Sequence, residues 1–248
     1  MLSHFKMNLL LKTILVLVIF AILFVTWQFA RTRHFIRIGE GLVAEATAYS
    51  QAPEKADLKF LTIGDSSAVG VGASSPEISV AGLLGKDYPN ASIKNLGVNG
   101  ARVADLPSRL EAEEGNRYDL VLIHIGGNDV VRRTDIGDIE RDMRQVIDLA
   151  KKLTDQVVIL HGGDIGEAYL LPLGSRWWFG RRTHQVRDLY IKLAEEKDVK
   201  YADILREKGF RGDDFHQFPQ KTFAEDKFHP SDFDYAYWYE QVRKQISF

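Results

Sequence analysis

The chain has 248 residues, 45% of them apolar or aromatic, enough for one well-packed core. Its 32 basic and 34 acidic residues leave a formal net charge of -2, so the total charge calls for no polyanionic partner, nucleic acid included. The absence of cysteine removes a disulfide framework, a thiolate nucleophile and a Cys-ligated zinc site together.

The first element is apolar. From Thr13 to Ala30, "TILVLVIFAILFVTWQFA" carries no charge, and 18 residues at helical rise span about 27 Å, close to the hydrocarbon thickness of a bilayer. Three readings compete for it: a membrane anchor, a cleaved signal peptide and a buried helix. The span is long for a signal-peptide core and no small-x-small site precedes "RTRH", which favours the anchor. Lys6 and Lys12 flank one end, Arg31, Arg33 and Arg37 the other, so the positive-inside count is nearly even. A short tail ahead of a large domain favours an extracytoplasmic domain. Residues 31–56 then read either as a stalk or as a first helix packed on the domain, broken by "SQAPEKAD".

From residue 57 to 248, short apolar runs alternate with helical patterns. The runs are 58–63, 91–96, 118–125, 156–161 and 199–204. The helical patterns are 78–88, 102–113, 136–154, 180–198 and 231–246. Continuous apolar strands joined by helical crossovers predict an α/β domain, a three-layer α/β/α sandwich on a parallel sheet of about five strands. In such a sheet, ligands bind outside the carboxyl ends of the strands. The residues found there are Gly64-Asp65-Ser66, Gly97-Val98-Asn99-Gly100, Gly126-Gly127-Asn128-Asp129 and His161-Gly162-Gly163-Asp164. A hydroxyl, carboxamides and free backbone N–H groups together suit acyl transfer, which needs a nucleophile and donors for a developing oxyanion.

A serine nucleophile needs a base, and the base an orienting carboxylate. Of seven histidines, His4 and His34 flank the anchor, His124 lies inside a strand, His184 sits mid-helix, and His161 ends the fourth strand where it could border the cleft. Two remain, each with an aspartate three residues earlier: Asp213 with His216, and Asp226 with His229. Pro230 and the helix pattern after it restrain His229, whereas "RGDDFHQFPQK" offers no comparable anchoring, so the mechanics favour His229.

Four blocks now bear on a family. "GDSS" at 64–67, "NLGVNGA" at 95–101, "GGND" at 126–129 and "DKFHP" at 226–230 occur in order, each of the first three after a strand end. The sequence resembles the SGNH hydrolases, also called GDSL-type esterases and lipases, over about 58–246. The resemblance implies a flavodoxin-like fold, Ser66 as nucleophile, His229 as base and Asp226 as its orienter. It also implies an oxyanion hole from the N–H groups of Ser66 and Gly100 and the Asn128 side chain, with neither cofactor nor metal. The expected substrate is a small-molecule or lipid carboxylic ester. Alternatives are an O-acetyl esterase or acyltransferase acting on a cell-envelope glycan, and a catalytically weak binding module. Ser67 stands where the family often has leucine, a position the chemistry does not require.

Other motifs fit less well. A G-x-S-x-G elbow would need glycine where Ala68 stands, and "GVGASS" at 70–75 lacks both the third glycine of a dinucleotide loop and the lysine of a P-loop. Tyr169, Trp177, Trp178 and Phe179 could line an acyl pocket, touch the bilayer, or pack under a long connection; packing is the simplest of the three.

Overall fold

The computed structural model describes residues 2–205 and 219–248. Asp213 and His216 lie outside the described residues.

The elements in chain order are α1 (Leu2–Glu45), β1 (Leu58–Gly64), α2 (Ser66–Val69), α3 (Val80–Asp87), β2 (Ala91–Gly97), α4 (Pro107–Glu111), β3 (Leu120–His124) and α5 (Gly127–Val131). There follow α6 (Ile136–Leu153), β4 (Val157–Leu160), α7 (Arg176–Lys197), β5 (Lys200–Ala202), α8 (Pro219–Thr222) and α9 (Asp232–Arg243). The five strands form one parallel sheet in the order β2-β1-β3-β4-β5, the flavodoxin-like order.

The strands are apolar throughout because both faces are covered. Side chains alternate across a strand, so Val121 and Ile123 of β3 join Leu61, Ile159 and the inner residues of α6 and α7 in one core. Leu120 and Leu122 of the same strand join Phe60, Ile93, Val158 and the inner residues of α3 and α9 in the other. This is the three-layer sandwich.

Two helical patterns differ from expectation. The stretch 102–113 is not one helix: a single 3-10 turn over Val103–Asp105 precedes α4, which begins at Pro107 because proline has no N–H to continue a preceding helix. Helix α7 begins four residues before the predicted 180, so Trp177, Trp178 and Phe179 belong to its first turns.

The segment 31–45 is helical and continuous with the apolar stretch, so residue 30 marks no break in the backbone. Arg31 donates from Nη1 to the Tyr169 carbonyl and from Nη2 to the Leu171 carbonyl, 2.6 Å each, and the Thr32 hydroxyl donates to the Leu170 carbonyl. Of the two readings of 31–56, the first half is thus a helix packed on the domain. Leu9–Glu45 is long and apolar enough to cross a membrane, and the apolar residues Ile14–Val25 and Phe29 that it carries are exposed.

Candidate active site

The loop after β1 carries Ser66 into the first position of α2. Asp65 caps that helix, its carboxylate accepting from the Ser67 N–H at 2.9 Å. The first N–H groups of a helix have no acceptor within it, so the backbone at Ser66 is a donor looking outward. Ser66 itself is 8% exposed and lines a cavity with Asn128, Gly162, Ile165, Phe223, Phe228 and His229. The space open to the centre of a water-sized sphere is about 40 Å³, enough for a few waters or a small acyl group.

His229 reaches this cavity from the other end of the chain. Its Nε2 lies 3.1 Å from Ser66 Oγ, and its Nδ1 lies 2.6 Å from Asp226 Oδ2. The spacing of three between Asp226 and His229 has a mechanical reason. Asp226 Oδ1 accepts from the backbone N–H groups of Phe228 and His229, each at 3.0 Å, which leaves Oδ2 for the imidazole of the residue so held. The turn is closed by the Ala224 N–H donating to the His229 carbonyl. Burial pushes the Asp226 carboxyl up, but the bonds from the His229 ring and the two N–H groups outweigh it and hold the carboxyl below its ordinary range. The carboxylate therefore stays charged beside the imidazole at neutral pH.

Two glycines let other segments close on this pair. Gly72 has φ +93, and a Cβ there would lie 2.4 Å from the Pro230 carbonyl and 3.1 Å from the His229 Cβ, so the loop after β1 can press on the histidine only without a side chain. Gly70, where a Cβ would lie 2.7 Å from the Ser79 Cβ, serves packing likewise, which accounts for the "GVG" run. Gly39 of α1 is buried, and a Cβ on it would stand 2.9 Å from Asp226 Oδ2, the oxygen that meets His229. The packed half of α1 thus backs the carboxylate from outside the cavity. One of the two glycines within the helical pattern "RIGEGLV" was the only sequence signal of that contact.

The remaining expected residues divide. Asn128 lines the cavity, and one N–H of its carboxamide donates to the Ala101 carbonyl at 3.1 Å, leaving the second N–H for another acceptor. Gly100 sits in the loop beside that carbonyl with φ +79, in the reach of Arg132, and is not among the residues lining the cavity. Asp129 braces the same loops by accepting from the Val103 N–H. His161 is fully buried rather than bordering the cleft; Gly162 and Gly163 after it form the wall. Burial lowers its imidazole to about 4, and that of His124 in β3 to about 3, so both stay neutral. His184 is exposed, 3.7 Å from Asp164. The wall residues Ile165 and Phe223 carried no sequence motif, and Phe228 stood at an unassigned position of the "DKFHP" block; only their flanking of the strand-end and histidine segments marks them. Among the described residues no group of three or more His, Asp or Glu side chains could hold a metal ion.

Asp65 gives a measurable pH signature. Its complete burial raises the carboxyl to about 6 from the ordinary 3.8, against the opposing bond from Ser67 and the field of His229. Below about pH 4 both folded and unfolded chains carry it protonated, so it costs nothing. As pH rises from about 4 to about 6 the unfolded chain ionises while the folded one resists, so stability falls, and above about 6 the loss is complete. Asp65→Asn keeps an acceptor for Ser67, so it is expected to add about 2–3 kcal/mol at pH 8 and almost nothing at pH 4. Urea titrations at the two pH values measure this, and equal stabilisation at both would refute the burial account.

A serine, a histidine and an aspartate in hydrogen-bonded series at the carboxyl ends of a parallel α/β sheet define the hydrolase class of protein. The chain belongs to the GDSL-like Lipase/Acylhydrolase family, whose profile matches residues 62–236, and it is therefore a hydrolase of the esterase/acylhydrolase type. Solved structures share the fold. A lipolytic protein of the G-D-S-L family from Veillonella parvula is 18% identical with a TM-score of 0.61, covering 75% of this chain and 96% of its own. A variant of an acetyl xylan esterase from Geobacillus stearothermophilus is 24% identical with a TM-score of 0.59, covering 78% and 96%. An alpha/beta hydrolase enzyme from the metagenome of Lake Arreo, Spain, is 20% identical with a TM-score of 0.58, covering 77% and 95%. No curated protein matches the chain.

Proposed function

We propose that the protein is a membrane-anchored serine esterase that removes short acyl groups from carboxylic esters. The observation that carries this is the unbroken series from Ser66 Oγ to His229 Nε2 at 3.1 Å and from His229 Nδ1 to Asp226 at 2.6 Å. His229 Nε2 takes the hydroxyl proton as Ser66 Oγ attacks the ester carbonyl, and the tetrahedral oxyanion accepts hydrogen bonds from the Ser66 N–H and the free N–H of Asn128, both on the cavity, with Gly100 holding the loop beside them rather than facing the cavity. The imidazolium, steadied by Asp226, gives its proton to the leaving alcohol, and water repeats the cycle to free the acid. A cavity of about 40 Å³ supports a small acyl group over a long chain. The same size favours a second reading, the acetyl ester of a cell-envelope glycan. Helix α1 would hold the enzyme at the membrane with its domain on the extracytoplasmic side.

A fluorophosphonate probe tests the activation of the serine, because an ordinary serine does not react with it. The expected result is a single adduct on the peptide bearing Ser66, absent from Ser66→Ala. An unlabelled wild-type protein would support the catalytically weak binding module instead.

A further inference from the structure

The domain grips α1 close to the end of its apolar stretch. Gln28, two residues before that end, is buried, with neither amide atom hydrogen-bonded, and one turn later Arg31 and Thr32 bond the backbone of Tyr169, Leu170 and Leu171. A segment bonded there must lie at the bilayer surface if Thr13–Ala30 spans it. The chain just beyond Leu171 is unusual for a soluble surface: Leu173 is 49% exposed and Trp177 67%, with Trp178 at 38%. Four aromatics here carry a guanidinium on a face: Arg181 over Trp177, Arg133 over Trp178, Arg176 over Tyr169 and Arg31 over Trp27. Tryptophan and arginine together suit the interfacial layer, where a ring meets acyl chains and glycerol while a cation meets phosphate.

We propose that Leu173, Trp177 and Trp178, with the arginines stacked on and beside them, form a second membrane contact that seats in the anionic headgroup layer. The contact is continuous with α1 and holds the domain down on the bilayer. It rests on the anchor reading above. Its consequence for the site follows from the helix. Gly39 touches Asp226 and lies nine residues past Ala30, about 14 Å along the axis. The headgroup region adds about 5–7 Å to each side of the hydrocarbon core, so Asp226 and His229 stand just above it. A small acyl cavity at that height suits an ester displayed by a headgroup or a lipid-linked sugar rather than an acyl chain drawn out of the bilayer.

The chain has no cysteine, so single nitroxide labels can be placed without other changes. The full chain would carry a label at Leu17→Cys, Leu173→Cys or Asp155→Cys, in vesicles of phosphatidylcholine with phosphatidylglycerol. Accessibility to oxygen and to a water-soluble nickel chelate would be read by electron paramagnetic resonance. Asp155, at the amino ends of the strands with an exposed side chain, is the aqueous reference. The expected result is nickel access at Leu173 reduced about fivefold or more against Asp155, with oxygen access raised. Aqueous behaviour at Leu173 while Leu17 reports lipid would overturn the second contact and leave the anchor standing. Aqueous behaviour at Leu17 would overturn the anchor reading and the proposal with it. Dipolar broadening between Leu173 labels would identify a second copy of the chain as the occupant and also overturn it.

Discussion

His229→Ala is expected to lower kcat for p-nitrophenyl acetate by about 10⁴-fold or more, to the level of Ser66→Ala, while His216→Ala leaves it within about twofold. The reason is geometric. The His229 ring has one nitrogen on Ser66 and the other on Asp226, so removing it takes away the proton acceptor and strands a buried carboxylate at once. Because the two residues act as one unit, the double variant Ser66→Ala/His229→Ala should be no slower than either single one. Steady-state kinetics with the four variants measures this. A His216→Ala enzyme that is dead while His229→Ala turns over would assign the base to the other Asp-x-x-His segment.

Disturbing the carboxylate is the second large effect. Asp226→Asn should cost about 10³–10⁴ in kcat, since an amide at this place can hold the imidazole in the wrong tautomer and cannot balance the imidazolium. Gly39→Val acts on the same oxygen from outside. A side chain there overlaps Asp226 Oδ2, which is fixed by its bond to His229 and has little room to retreat. An ångström of displacement at a reacting group costs up to about 10²-fold, so Gly39→Val is expected to lose about 10- to 100-fold in kcat with KM nearly unchanged. Circular dichroism on the same samples checks that the variant is folded. Full activity in a folded Gly39→Val protein would remove α1 from the site.

Much of this was legible in the sequence because it is local. Unbroken apolar runs such as "LVLIH" belong to strands covered on both faces, and the strand-end rule then pointed to Ser66 and Asn128 before any contact was known. The Asp226–His229 pairing is also local, since one carboxylate serves both the turn and the ring. What escaped reading was set by partners distant in the chain. The packing of residues 31–45, open between stalk and helix, depends on carbonyls of Tyr169 and Leu171 about 140 residues away. Packing was the simplest expectation for Trp177, Trp178 and Phe179, and it holds for the buried Phe179 but not for the exposed Trp177 and Trp178, because the period of an aromatic pair cannot say whether a helix turn is roofed.

The sequence by itself therefore determined the parallel sheet, the strand ends and the chemistry gathered in each loop, since burial pattern and turn residues are properties of short stretches. Only the tertiary structure decided that Ser66 and His229, 163 residues apart, meet at hydrogen-bond distance, and that a glycine of α1 backs Asp226. The physical reason is that the order and register of the strands, with helices packed across them, fix which loops converge, and no short stretch carries that information.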